Sequence, residues 1–517
     1  MNMKDDSLFE VTPAVLGVSL LVAVAISFAS WCWLLLHRFA VPEPQWLMLV
    51  KWMRFAWTPE LRWVTLQSLV QGIAPVGFVL YLAGDWGPSD KARVLRGARL
   101  VDVKALAART RLKKRKGAPA QVELAGVPIP PACEPTHFLL AGSTNTGKST
   151  AVDELLATAL ARGDRCIVVD PNGHALARFG RKGDRVLNPF DKRCPGWSPF
   201  NEIRKPFDFE RVAASIVPDS ADASAQQWHG YARQLLAETM RAMMQSGENS
   251  TERLLHWLTQ ASAKDLAAFL AGSAAVGLFE PGAEKALAST RFILSSHVGC
   301  YQYLRPGDFS LRAWLESGKG NLYLTWREDM LSSLKPLVSG WVDILIAAIL
   351  TLPEGNPRPL WLVLDELASL ERLSSLEAGL TKGRKHGLRV VAGLQSVAQL
   401  DDLYGGHAAT TLRSCLRNLL VLGCANTDPE TAKVFSDGLG QSEVERTQLT
   451  HNNARGNEGG TTSRSVQRSV EPLVLPSQLT SLAPLDGYLK FAGDFPVAKI
   501  RLQPGNYPVR NKPFLEV

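Results

Sequence analysis

Metal-site and disulfide signatures are missing from this chain. Its 517 residues include only seven cysteines, at positions 32, 133, 166, 194, 300, 415 and 424, and no two stand in C-x-x-C spacing. An odd, scattered set fits neither a disulfide framework nor a zinc site and reads as reduced, structural thiols. The nine histidines form no cluster, so no dedicated metal site is expected. No internal repeat is present, which excludes a solenoid or propeller. A strong charge of one sign is also missing. The net charge of +8 is modest, and alone it argues only weakly for a nucleic-acid partner. Charge is absent altogether from residues 11–36 and 63–84.

Each of those runs is long enough to cross a hydrocarbon core about 30 Å thick. A buried core helix has the same composition. Two runs near one end, with Trp31, Trp33, Trp46, Trp52, Trp57 and Trp63 around them, favour a membrane hairpin with interfacial aromatics. The first run is too long for a signal peptide, and a second follows it. Between Lys91 and Lys116 stand eleven Lys or Arg and one acid, Asp102. The positive-inside rule puts that side in the cytoplasm, and two spans put both termini there. Arg38, Lys51, Arg54 and Arg62 in the connecting loop oppose this assignment but are fewer. The basic strip at 109–116 serves either as a topogenic stop or as a binding strip for anionic lipid or nucleic acid.

What is present begins at Phe138. An apolar run leads into AGSTNTGKSTAV at 141–152, which fits G-x-x-x-x-G-K-[ST] with Gly142, Gly147, Lys148 and Ser149. A chance glycine loop would lack the strand before and the helix after that the motif requires. In such a loop Gly142, Ser143, Thr144, Asn145, Thr146, Gly147, Lys148, Ser149 and Thr150 cradle phosphates at a helix N-terminus. Lys148 reaches the β- and γ-phosphates, and Ser149 holds Mg²⁺. ATP and Mg²⁺ are the expected cofactors.

Residues 360–366, LWLVLDE, read as a buried strand ending in two carboxylates, at the edge where an open α/β sheet presents its reactive groups. Asp365 would share the Mg²⁺ shell, and Glu366 would polarise the attacking water. A strand ending in Asp-Glu is common by itself; the P-loop gives it weight. A Glu directly after the Asp points to the additional-strand ATPases, many of which work as rings. Residues 389–395 read as another buried strand, ending in Gln395. That side chain either senses the γ-phosphate or is a satisfied strand-end amide. KGRK at 382–385 precedes this strand. Arg384 would stabilise phosphoryl-transfer charge in a neighbouring subunit, or belong to a solvated basic loop.

Strand signals vanish between about 207 and 311, where 225–245, 251–258 and 284–296 have helical periodicity. The expected fold is α/β, a parallel nucleotide-binding domain interrupted by an all-helical insertion and preceded by a transmembrane hairpin. The expected divisions are 1–84 for the hairpin, 85–205 and 313–517 for the nucleotide-binding domain, and 206–312 for the insertion. Residues 451–467, rich in Asn, Gly, Thr, Ser and Arg, read as a loop.

With these motifs the chain resembles the TrwB/TraD family of conjugative coupling proteins. The likeness runs from the P-loop nearly to the C-terminus. It includes VVDPNG at 168–173, GWSPFNEI at 196–203, TWREDM at 325–330, DELASLE at 365–371, LTKGRKHGLRVVAGLQS at 380–396 and QLDDLYG at 399–405. The N-terminal 85 residues match in layout more than in sequence. The resemblance implies a RecA-like P-loop NTPase with an inserted all-α domain, working as a DNA-stimulated ATPase in a homohexamer at the bacterial inner membrane. It implies as partners single- and double-stranded DNA, bound without sequence preference, the relaxase with its relaxosome, and the channel proteins of a type IV secretion system. Lys148, Ser149, Asp365, Glu366 and Arg384 match the family's P-loop, Walker-B and arginine positions. Residues 143–146 vary but contribute mainly backbone. A docking receptor that binds ATP while other ATPases pump stays open. A septal DNA translocase would carry four spans, a long linker and a C-terminal winged helix, and a transporter subunit of the ABC type an LSGGQ-like signature; none is seen.

Overall fold

The computed structural model describes residues 13–39, 51, 53–83, 93–113, 120–355, 358–452 and 461–517. They fall into two compact units, one drawn from 1–92 and 449–464, the other from 93–448 and 465–517. Trp46, Trp52, Lys91, the start of the N-terminal tail and positions 114–116 of the basic strip lie outside the described residues.

In the first unit, helices Pro13–Phe39 and Arg62–Ala83 pack against each other. Trp31, Cys32, Leu35 and Val64 are buried there, and Trp31 Nε1 donates to Thr65 Oγ1 at 3.1 Å. Gly72 permits the close approach, since a Cβ there would lie 1.9 Å from Ser27 Oγ. Small residues at such contacts are how apolar helices meet in lipid. The stretch Val18–Arg38 is apolar enough to cross a membrane, with mean hydropathy 2.2. The second helix has no charge after Arg62 but contains Gln67, Gln71 and Pro75, and is the weaker candidate for a span. Leu20, Leu21, Val70 and Phe78 are exposed, the reverse of a water-soluble helix pair.

The strands in chain order are β1 Arg93–Gly97, β2 Leu100–Asp102, β3 Glu123–Leu124, β4 Val127–Pro128, β5 Phe138–Ala141, β6 Arg165–Pro171, β7 Arg185–Leu187, β8 Leu322–Trp326, β9 Leu360–Leu364, β10 Leu388–Leu394, β11 Asn418–Val421, β12 Gln441–Asn452, β13 Thr461–Pro472, β14 Asp486–Lys490 and β15 Val497–Arg501. Ten of them make one sheet, in the order β2-β15-β14-β11-β5-β10-β9-β6-β8-β7. From β11 to β7 every pairing is parallel. The expectation of a parallel sheet fails toward the other edge, where β14 runs antiparallel to both β11 and β15. Only residues 491–496 join β14 to β15. A parallel crossover needs a dozen or more, so the chain returns antiparallel.

The central strands are continuous apolar runs because both faces of the sheet are covered. In β5, Phe138 and Leu140 enter one core while Leu139 and Ala141 enter the other. Each fully buried Leu, Val or Phe contributes about 1.5–3 kcal/mol. Between β7 and β8 the regular elements are helical, including Asp208–Ile216, Ala223–Gln245, Thr251–Leu255, Ala263–Phe269, Glu284–Val298 and Leu311–Ser317. Asp222, Ser250, Ser262 and Ser310 cap four of them by accepting from backbone N–H groups. The helix expected over 251–258 gives way to a π-helical turn at His256–Gln260. Helix Leu331–Ile349 has the apolar length of a membrane span, yet most of it is buried in the body around Trp341 and Leu345.

The loop expected over 451–467 is corrected. β12 and β13 are neighbouring strands of a three-stranded sheet with β1, and only 453–460 lies outside the described residues. A ribbon polar on both sides carries no hydrophobic period to announce it.

Candidate functional site

The loop 142–147 joins β5 to helix Lys148–Arg162. Gly147 sits at φ +114°, where a Cβ would also lie 2.8 Å from Leu485 Cδ2, so the turn requires glycine. The Gly142 N–H donates to Leu394 O at 3.1 Å and the Ser143 N–H to Gly423 O at 2.8 Å. Thr146 Oγ1 donates to Ser143 O at 2.8 Å. The loop is thereby pinned to the ends of the neighbouring strands, and the helix presents its first N–H groups to the cleft. Lys148 Nζ folds back onto Gly142 O at 2.5 Å and Ser143 O at 3.3 Å. Burial lowers its pKa, against the pull of Glu366 and Asp365.

Asp365 and Glu366 stand just past the end of β9. β10 lies between β5 and β9 and delivers Gln395 beside them. This is the inserted strand that the Asp-Glu pair had pointed to. Gly393 makes the fit possible, because a Cβ there would lie 1.8 Å from Asp365 O. Ser149 Oγ donates to Asp365 Oδ2 at 3.3 Å. Gln395 Nε2 donates to Glu366 Oε2 at 2.7 Å, and Thr144 Oγ1 donates to Gln395 Oε1 at 3.2 Å. Burial pushes both carboxyls up, with Lys148 opposing it in each case.

The remaining oxygens, Asp365 Oδ1 and Glu366 Oε1, are buried without a hydrogen-bond partner. Leaving such a group unpaired costs about 1–3 kcal/mol, and more when it is charged. A hard, oxygen-seeking Mg²⁺ with its waters would satisfy them, so Ser149 and Asp365 fit that ion.

A cleft of about 650 Å³ gathers Ser143, Thr144, Asn145, Gly147, Lys148, Ser149, Thr150, Asp365, Glu366 and Gln395. Gly142 and Thr146 shape the loop instead of lining the cleft. Sequence reasoning missed Trp326, Glu328, Leu331 and Leu485, which also line it. The first three fall in or beside TWREDM, a string noticed only as a likeness; Leu485 carries no signal. Asp170 was missed too. It is the penultimate residue of β6, two strands from β10, and accepts from the Ala175 and Leu176 N–H groups at 3.0 and 2.8 Å. Burial pushes its carboxyl up to about 7 against those donors, with Asp365 and Asp153 adding to the rise.

Arg384 is elsewhere. It is exposed in the turn Gly383–His386 before β10, at the opposite edge of the sheet. The seven residues of β10 separate it from Gln395, a rise of roughly 23 Å. Arg384 cannot complete the cleft of its own chain.

Residues 121–503 match the family described as the type IV secretion-system coupling protein DNA-binding domain. The chain belongs to the type IV secretion-system coupling proteins. Coupling protein TraD of Escherichia coli (strain K12) is 28% identical to it over 406 residues, 76% of this chain and 56% of TraD. Conjugal transfer protein TraG of Rhizobium radiobacter is 30% identical over 211 residues, 41% of this chain and 30% of TraG. This coupling protein thus spans about half the length of TraD, and less of TraG. The unbound monoclinic form of the bacterial conjugative coupling protein TrwB superposes with a TM-score of 0.78 at 46% identity, over 83% of this chain and 98% of that one. TrwB in complex with ADP and Mg²⁺ gives 0.76 at 46% identity, over 83% and 99%. TrwB with the non-hydrolysable ATP analogue ADPNP gives 0.76 at 46% identity, over 84% and 99%. The coupling protein has the TrwB fold, a RecA-like P-loop domain with an all-α domain, as the resemblance implied.

Proposed function

We propose that this coupling protein is a DNA-stimulated ATPase that drives single-stranded DNA transfer in conjugative type IV secretion. One observation carries the reading: one cleft gathers Gly147, Lys148, Ser149, Asp365 and Glu366, while Arg384 stands a sheet's length away. Binding of ADP with Mg²⁺ and of ADPNP by TrwB, at 46% identity, supports ATP and Mg²⁺ as the cofactors.

In this reading Lys148 exchanges its carbonyl contacts for phosphate oxygens. Ser149 and Asp365 hold the cation's shell. When bound, Mg²⁺ supplies charge neutralisation for the phosphates as they separate. Glu366 offers its unpaired Oε1 to the attacking water, and Gln395 fixes its other oxygen. Arg384 enters from the neighbouring subunit of a ring, a homohexamer. DNA, single- or double-stranded, is held through its backbone without sequence preference, so stimulation falls with salt. The hairpin anchors the chain in the bacterial inner membrane by two passes with both termini cytoplasmic. There it links the relaxase–DNA complex to the channel proteins.

Phosphate release by the full chain in neutral detergent tests this, with and without single-stranded DNA, across salt, beside Lys148→Ala and Arg384→Ala. Strong, salt-sensitive stimulation lost in both variants is expected. Intact ADPNP binding with negligible turnover in every condition would leave a docking receptor as the better reading.

A further inference from the structure

A second cavity, of about 530 Å³, lies between β1–β2 and the turn that joins β14 to β15. Three cations line it, Arg99, Arg109 and Lys490, with one acid, Asp494. Asp494 is fully exposed and engages Arg109, whose Nη2 donates to its backbone oxygen at 2.6 Å and approaches Oδ2 at 3.4 Å. Lys490 Nζ donates to Gly438 O at 2.8 Å and Leu439 O at 3.2 Å, at the end of helix Pro429–Leu439, which leaves one of its three protons for a ligand. Arg99 is exposed, and among the described residues its guanidinium has no hydrogen-bond or ion-pair partner. The cavity therefore carries surplus positive charge and two free donors. Gly440, at φ +110°, keeps its wall open beside Lys490.

The surroundings say what kind of anion. Leu100 follows Arg99 in the chain and Leu112 stands three residues after Arg109; both are large apolar side chains, left 47% and 55% exposed. Arg111 and Lys113 are exposed beside Leu112. Apolar side chains mixed with cations fit a lipid–water interface better than a nucleic-acid groove. In the chain, β1 begins ten residues after the apolar helix ends at Ala83.

We infer that this cavity binds the phosphate headgroup of an anionic membrane phospholipid, with Arg99 and Lys490 as donors and Leu100 and Leu112 at the interface. The inference rests on the membrane-anchored reading above. Native mass spectrometry of the full chain in neutral detergent, titrated with phosphatidylglycerol or phosphatidylcholine, tests it. Phosphatidylglycerol is expected to be retained over phosphatidylcholine by about fivefold or more, as expected for one or two cations at an anionic surface. The preference disappears in the Arg99→Gln/Lys490→Met double variant and survives Arg99→Lys. ADPNP binding reports on the fold. If the double variant loses it, Arg99→Gln alone decides, because that side chain supports nothing else. Equal retention of both lipids, or an unaltered preference in the variants, overturns the inference. So does displacement of the lipid by a single-stranded oligonucleotide or by inorganic phosphate. Alkaline carbonate extraction separates the two readings. A chain released from membranes breaks the anchor, whereas a retained chain without lipid preference breaks only this site.

Discussion

At one edge of the ten-stranded sheet, Arg162 donates to both oxygens of Glu134, at 2.5 and 2.9 Å, and to Asp164 Oδ2 at 2.5 Å, which also accepts from Trp361 Nε1 at 2.8 Å. His137 is held neutral there, Nε2 donating to Leu380 O at 2.9 Å and Nδ1 accepting from the Val390 N–H at 3.0 Å. At the other edge Asp365 and Glu366 each keep one buried oxygen unpaired, and Lys148 reaches only carbonyls. The same residue types are closed into a network in one place and left open in the other. Buried charges are normally paired, so an unpaired set marks where a ligand completes the pairing. Arg384 belongs to neither group. It is exposed beside the closed edge, which suits a role in another subunit's site.

Arg384→Ala tests that contrast hardest. DNA-stimulated turnover should fall about 10³-fold or more, while ADPNP affinity stays the same. An unchanged rate would return Arg384 to the solvated basic loop. Mixing Arg384→Ala with Lys148→Ala chains should restore part of the rate, since some sites then receive both residues intact. Glu366→Gln should lower turnover by about 10²–10⁴-fold with nucleotide binding kept. If binding were lost instead, the open edge would be structural.

Glu134→Gln acts on the closed edge. It removes one of the two carboxylates that hold Arg162, leaving Asp164, and should cost about 1–3 kcal/mol in denaturant unfolding, with ADPNP affinity of the folded chain unchanged. Acid probes the same edge. Burial lowers the His137 pKa to about 4 from an unfolded 6.5. The unfolded chain therefore takes up a proton in that window and the folded chain does not. The His137 contribution is complete above 6.5 and is lost as pH falls toward 4, a loss of about 3 kcal/mol. Unfolding midpoints at pH 7 and 4.5 should converge in a His137→Gln variant relative to the parent. Gln395→Ala should have the smallest effect, about a tenfold drop in turnover, because it only orients Glu366.

The P-loop, the Asp-Glu pair and the apolar strands around them were legible in the sequence because each is a contiguous signal. β14 was not recognised as antiparallel, because direction depends on the length of a connection and not on strand composition. The β12–β13 ribbon was read as loop because both of its faces are polar. Leu485 had no motif to mark it, and Gly393 lay inside the string at 380–396 with nothing to single it out; their roles exist only against Gly147 and Asp365.

The sequence by itself determined the local chemistry: which loop turns tightly, which strands are buried on both faces, and which carboxylates end a strand. Spacing and apolar periodicity are properties of neighbouring residues, so they survive in one dimension. Only the tertiary structure decided which groups meet. β10 follows β9 in the chain yet sits between β5 and β9, and this alone joins Gln395 to Glu366 and sends Arg384 to the far edge. Strand order is set by which faces and edges the packed helices and strands can cover, and that is a property of the whole body.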